Sequence, residues 1–291
     1  MSTVILLLVT GLGLGALYFL VASGLSLIYG LMGVLNFAHG SFLTIGALAG
    51  YELSRRIGDG TWLALIASMV LGALVGMVVA ALTELLLIRP LYTRHIEQVL
   101  VTVGLALASV ALFEGIWGTD PIYTNKPTWL GQTTSILGAR IPNDRFLLIG
   151  CALLVLLAIV VFLKRTRYGL IIRAGVENRS MVTALGIDVR KAFTLVFAIG
   201  GAAAGLGGVL ASVYYGNVSA HLGGSLLIFA FIVTVIGGLG SLAGAAVASV
   251  LVALLQQFAN FYAGGTGDLA VVLALAGVLL IRPRGLLGKK A

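Results

Sequence analysis

Long apolar runs separated by short polar connections extend along nearly the whole chain. Residues 4–28, 62–83, 98–118, 146–163 and 192–214 each approach or exceed the roughly 20 residues that carry a helix across a hydrocarbon core. The apolar residues are continuous rather than alternating, so they predict helices and exclude a membrane barrel. Residues 222–262 are charge-free for about twice one crossing, which predicts two helices meeting near Gly237 to Ser241. A last run covers residues 267–281.

Residues 29–51 depart from this simple pattern. Gly30 and Gly33 each weaken a helix by about 1 kcal/mol, and Asn36 is a good N-cap for a new helix running to Glu52. Such a helix spans about 25 Å at 1.5 Å per residue, short of the roughly 30 Å hydrocarbon core. The chain break is therefore expected inside the membrane. Non-helical backbone at that depth is tolerated only against protein or a water-filled cavity, and transporters use such helix ends to meet polar substrates. Asn36 admits two roles, a cap and a pathway lining. Asn36, His39 and Leu43 fall along one face, and Ser41, Thr44 and Leu48 along another.

Composition agrees with an all-α, polytopic transmembrane bundle. Hydrophobic residues make up 60% and charged residues 10% of the chain, against roughly 25% charged in soluble domains. The net charge of +8 calls for no nucleic acid, because the basic residues gather where a membrane protein retains them. Lys164, Arg165, Arg167, Arg173, Arg179, Arg190 and Lys191 lie in one segment with only Glu177 and Asp188, and a Lys/Arg excess stays cytoplasmic. The tail, with Arg282, Arg284, Lys289 and Lys290, is equally basic. An even number of crossings must join two segments on the same side. About nine membrane segments result, including broken or short helices, with the N-terminus outside and the C-terminus cytoplasmic. The first 51 residues carry no Lys, Arg, Asp or Glu, which lacks the basic start of a cleaved signal, so the N-terminus is expected to be retained. Trp62, Trp117 and Trp129 then fall at the outer interface, where indoles prefer to sit. The polar connection 120–145 is either a plain connector or a receiver for an extracytoplasmic protein.

Within the basic segment, residues 174–187 have a helical cadence. They form a surface for a soluble partner, or a basic loop resting on membrane lipid headgroups. Gly30 and Gly33 match Gly237 and Gly240 at a fixed offset, each pair ahead of a polar residue, Asn36 or Ser241. Paired glycine breaks point to a transporter's binding path, and helix packing is the plainer alternative. Glu114 lies about one turn from the end of its span and reads as an interfacial carboxylate. His39 has no second metal ligand nearby and reads as a packing histidine. Cys151 lies in an apolar run and reads as a core or lipid-facing residue. Gln256, Asn260 and Tyr262 read as interhelical hydrogen-bonding groups. No phosphate-cradling loop, Ser/His/Asp set, metal cluster or pair of intramembrane carboxylates is legible, so the expectation is a non-enzymatic chain with no cofactor of its own.

The segment Gly24-Leu25-Ser26-Leu27-Ile28-Tyr29-Gly30 through Asn36-Phe37-Ala38-His39-Gly40 resembles the hallmark of the LivH-type permease subunits of branched-chain amino-acid ABC transporters. Arg89-Pro90-Leu91 resembles the family's first cytoplasmic loop, Ala184-Leu185-Gly186-Ile187 its ATPase-docking loop, and Gly237-Gly238-Leu239-Gly240-Ser241-Leu242-Ala243-Gly244 its late glycine motif. The resemblance covers nearly all of the chain as a single permease domain. It implies a bacterial inner-membrane importer of leucine, isoleucine and valine, with a second homologous permease subunit, two ATP-binding-cassette ATPase subunits and an extracytoplasmic substrate-binding protein. The signature role passes to Asn36, Ala38, His39 and Gly40, and the docking role to Ala184, Leu185 and Gly186 within residues 164–191, with Glu177 and Arg179 beside them. Urea and short-amide permeases share much of this pattern. A stand-alone carrier would require an ion-coupling carboxylate at mid-membrane, and the span interiors as read here contain none.

Overall fold

The computed structural model describes residues 2–33, 35–177, 179–184, 186 and 189–288. Helices dominate: α1 Ser2–Met32, α2 His39–Ile57, α3 Trp62–Thr83 and α4 His95–Trp117 in the first half. A short α5 (Thr128–Gly131) precedes α6 Asp144–Arg165, α7 Arg167–Glu177, α8 Arg179–Ala184 and α9 Val189–Tyr215. The chain closes with α10 Leu222–Gly237, α11 Leu242–Tyr262 and α12 Gly267–Ile281. Among the described residues, six helices are long and apolar enough to cross a membrane, and α10 and α12 are shorter apolar helices.

Several boundaries match the sequence reading, among them both ends of α3 and α12 and the start of α11. α3 begins at Trp62 because Thr61 caps it, its hydroxyl accepting from the Ala64 N–H at 3.2 Å. α11 begins at Leu242 because the Ser241 hydroxyl accepts from the Gly244 N–H at 3.0 Å. Other boundaries move. α1 continues through Gly30 to Met32 and stops at Gly33, whose φ of +69° ends the helix in the left-handed region that suits glycine. α2 starts at His39, three residues later than expected, and its N-cap is Ala38 with no side-chain bond. Asn36 does not cap it: the Asn36 Oδ1 accepts from the Ala38 N–H at 3.1 Å, a local turn formed before the helix begins. The helical cadence read over residues 174–187 resolves into the separate helices α7 and α8, with Leu185 outside the described residues.

α1 is apolar all round and sits at the centre, with Leu17, Leu20, Val21 and Ala22 buried. It packs on α9, α11, α10 and α6. A second seam joins α2, α3 and α9, where small residues let the backbones approach. A Cβ on Gly205 would stand 2.1 Å from the Gly72 carbonyl oxygen, and one on Gly208 would stand 2.0 Å from that of Leu43. α4 and α6 are peripheral, with Leu100, Leu107, Leu153 and Leu154 exposed on surfaces suited to lipid.

The chain is mostly helical, as expected, with short strands added at one end of the bundle. The connection 120–145 is no bare linker. Thr133–Ile136 and Ala139–Pro142 form a hairpin, and Ile122–Tyr123 pairs antiparallel with Asn217–Val218 after α9. Trp62 and Trp129 meet there with ring centroids 6.2 Å apart. Lys126 pairs with Asp144 at 2.9 Å, and the Arg145 guanidinium lies 3.6 Å from the Tyr214 ring centroid. Gln256 joins three helices, accepting from the Tyr18 hydroxyl at 2.6 Å and donating to Asp268 at 2.7 Å. At the opposite end, the tail after α12 caps α10. The Leu286 and Leu287 N–H groups donate to the Ile236 and Gly237 carbonyls at 2.7 and 3.0 Å, partners a helix terminus otherwise lacks.

Candidate functional site

The break between α1 and α2 is where polar groups enter the bundle. Asn36, His39, Ser41 and Thr44 are all buried. His39 Nε2 lies 3.0 Å from the Val21 carbonyl oxygen. A carbonyl only accepts, so Nε2 carries the hydrogen and Nδ1 is an acceptor with no protein partner. Ser26 Oγ and Asn36 Nδ2 are likewise buried and unpartnered. Three buried polar atoms without a described partner thus lie on α1, on the connection and on α2, and Asp144 and Arg145 carry others elsewhere in the bundle.

Beside the break lies a cavity of about 140 Å³ between α2, α4 and α10. Its polar side chains are Ser41 and Thr44, set among Phe37, Val110, Phe113 and Leu227. Thr44 is already engaged, donating to the Gly40 carbonyl at 3.2 Å and accepting from the Gly223 N–H at 2.9 Å. It thereby fixes α2 to the first turn of α10, where an unsatisfied N–H would otherwise remain. Gly40 is also required here, since a Cβ on it would stand 2.7 Å from the Gly223 carbonyl oxygen. Phe37 and Leu227 additionally line a smaller cavity of about 30 Å³ that includes Asn36 and Leu25. Phe37 therefore stands between the two spaces.

Of the residues read as pathway or signature, Gly40, Ser41 and Thr44 share the larger cavity, and Asn36 lines the smaller one. Ala38 and His39 are buried behind them. Gly30, Gly33, Gly237, Gly240 and Ser241 line neither cavity. Gly30 and Gly240 build the crossing of α1 with the α10–α11 turn, Gly237 lies against Gly244 where α10 meets α11, and Gly33 ends α1 in open space.

The structure also holds residues that the sequence did not single out. α3 runs on into a π-helical turn, Glu84–Ile88, followed by a 3₁₀ turn, Arg89–Leu91. Glu84, expected in a polar loop, is fully buried, accepting from the Thr194 hydroxyl at 2.6 Å and from the Tyr92 hydroxyl. Glu84 follows the last residue of α3, at the end of that helix rather than its middle, so what the sequence missed is its burial. The continuous apolar stretch Leu85 to Ile88 after it was the available signal. Glu114, expected at an interface, is half-buried and paired, 2.9 Å from His221 Nε2. The pair joins α4 to the residue before α10, each partner adjacent in sequence to a cavity residue, Phe113 and Ala220.

In the expected docking segment, α7 and α8 bury Ile172, Gly175 and Val182 and expose Arg173, Met181 and Ala184. Gly186 is exposed with a φ of +77°. Leu185 and the side chains of Glu177 and Arg179 lie outside the described residues.

A buried helix break, a mainly apolar cavity and a bundle of long apolar helices are the parts of a membrane conduit. The family model described as the permease component of branched-chain amino acid transport systems matches residues 7–282. This chain belongs to that permease family. The permease is 27% identical to the LivH permease protein of Escherichia coli over 96% of this chain and 94% of that one. It is 28% identical to the BraD permease protein of Pseudomonas aeruginosa over 97% and 95% of the two chains. Among solved structures it is similar to PsaBC of Streptococcus pneumoniae, at 17% identity and a TM-score of 0.46, over 93% of this chain and 88% of that one. The permease is thus a multi-pass membrane protein of a transport family, with the cavity at the α1–α2 break as its candidate path.

Proposed function

We propose that this permease is the membrane subunit of an ATP-driven importer that passes leucine, isoleucine and valine, delivered by a soluble binding protein. The observation carrying this reading is the cavity lined by Phe37, Val110, Phe113 and Leu227 with only the Ser41 and Thr44 hydroxyls among them. Aliphatic side chains suit such a lining, and weak contacts let a substrate leave again. The polar ends of a zwitterion find unpartnered groups nearby, on Asn36 and His39, and helix ends at the break. The LivH and BraD relatives, both named as high-affinity branched-chain amino-acid permeases, support the same substrate class.

The orientation follows from charge. Arg89, Lys191 and Tyr168 line one groove at the end where the tail caps α10, whereas Trp62, Trp129 and Ser2 gather with the hairpin at the other. Retention of basic residues makes the first end cytoplasmic. Nine membrane segments, α1–α4, α6 and α9–α12, then leave the N-terminus outside and the C-terminus inside. Two ATPase subunits dock on residues 164–191, a second permease chain completes the conduit, and nucleotide acts by differential binding to its two conformations. Uptake of labelled leucine into vesicles carrying the reconstituted assembly tests this. Uptake should require ATP and loaded binding protein, and uptake independent of both overturns the reading.

A further inference from the structure

Where α3 gives way to its π and 3₁₀ turns, an open groove of about 510 Å³ separates it from α7 and α9. The walls are apolar, with Leu85, Leu195 and Ala198, and they continue onto the exposed face of α3 through Leu82 and Leu86. The rim is basic, with Arg89 from the 3₁₀ turn and Lys191 from the first turn of α9, and Tyr168 stands beside them. Neither cation forms an ion pair with a described residue. Among the described residues the one carboxylate close by, Glu84, is buried, bonded to Thr194 and Tyr92, and does not line the groove. Among those residues the rim therefore carries two cations and no exposed anion.

An apolar slot opening onto a lipid-facing surface, closed at the water end by two unpaired cations and an aromatic hydroxyl, has the pattern of a phospholipid. We propose that this groove binds one anionic phospholipid. Arg89 and Lys191 hold its phosphate, Tyr168 sits at headgroup level as interfacial aromatics do, and an acyl chain lies along Leu85, Leu195 and Ala198. Basic pockets between membrane helices recognise anionic headgroups in this way. The site is formed by the turn after α3, by α7 and by the start of α9, and Tyr168 and Lys191 belong to the Lys164–Lys191 segment, so a bound lipid would brace that segment against the bundle. The proposal rests on the groove's position at the end of apolar helices and not on the transported substrate.

Native mass spectrometry of the detergent-purified complete assembly tests it, with phosphatidylglycerol and phosphatidylcholine of matched chains as probes. Phosphatidylglycerol should be retained preferentially, and Arg89→Gln and Lys191→Gln should each weaken that preference about fivefold. The charge-conserving pair Arg89→Lys and Lys191→Arg should keep it. Leu195→Trp, which fills the slot and leaves both charges, should reduce retention of both lipids. Equal retention of the two lipids by the unaltered assembly, or an unchanged preference in the Gln variants, overturns the proposal. So does displacement by inorganic phosphate, which marks a simple anion site, or cross-linking of Lys191 to an ATPase subunit without retained lipid, which marks a protein interface.

Discussion

Gly30 and Gly240 meet backbone to backbone: a Cβ on Gly30 would stand 3.0 Å from the Gly240 Cα, and one on Gly240 2.7 Å from the Gly30 Cα. Their shared role is to let the end of α1 cross the α10–α11 turn, and Gly240 also holds a φ of +81°. Gly240→Ala therefore adds strain of about 1–2 kcal/mol to a steric clash. Thermal unfolding of the detergent-solubilised permease should show a clear loss of stability for Gly240→Ala and a smaller one for Gly30→Ala. At Gly33, where a Cβ meets nothing within 4 Å, backbone strain at φ +69° is the only penalty. Gly33→Asn should therefore be tolerated, because asparagine adopts the left-handed region more readily than other residues.

Thr44 is both a cavity wall and a clamp on α10. Thr44→Val keeps the shape but leaves the Gly223 N–H without its acceptor, a loss of about 1–3 kcal/mol for a buried donor. Thr44→Ser should restore most of it. A lower unfolding temperature for the valine variant and near recovery for the serine variant are the expected outcomes.

Glu84 accepts bonds from α9 and from the turn before α4. Glu84→Leu removes an acceptor from the Tyr92 hydroxyl and the shorter of the two bonds of the Thr194 hydroxyl, which also donates to the Arg190 carbonyl at 3.2 Å, and should destabilise by about 1–3 kcal/mol. Glu84→Gln retains an acceptor oxygen and should fall between wild type and Glu84→Leu in denaturant midpoint.

Docking on α8 can be separated from folding. Ala184 is exposed at the helix end, so Ala184→Arg should leave the permease as stable as before. Co-purification of the ATPase subunit with that variant should drop sharply, and undiminished co-purification would place docking elsewhere.

How much of this was legible in the sequence can be judged from particular residues. The limits of α3 and α12 follow from apolar runs that end abruptly, at Thr61 and Thr83 and at Thr266 and Arg282. The small-residue face of α9 was legible too, because Gly201, Gly205 and Gly208 recur at helical spacing and are buried. Asn36 misled because its side chain can bond the backbone two residues on as readily as cap a helix. Glu84 misled because a carboxylate after an apolar run reads as a loop until its donors, Tyr92 at 8 residues and Thr194 at 110 residues along the chain, are brought to it by the fold. The strands in residues 120–145 were missed because they are short, and Ile122–Tyr123 finds its partner in Asn217 and Val218, far along the chain. The cavity was half visible: Ser41 and Thr44 were readable as one face of α2, whereas Val110, Phe113 and Leu227 are ordinary apolar residues that only packing brings opposite.

The central claim is that substrate passes through the cavity beside the α1–α2 break, and thiol labelling at Ser41 tests it most directly. In a Cys151→Ala background, which removes the chain's single cysteine, Ser41→Cys is reconstituted with its partners and exposed to a small water-soluble thiol reagent. Labelling should proceed, change in rate when ATP is added, and slow when loaded leucine-binding protein is supplied. A thiol at position 41 that stays unreactive in every state, or reacts at one rate whatever the nucleotide and substrate, would contradict the account.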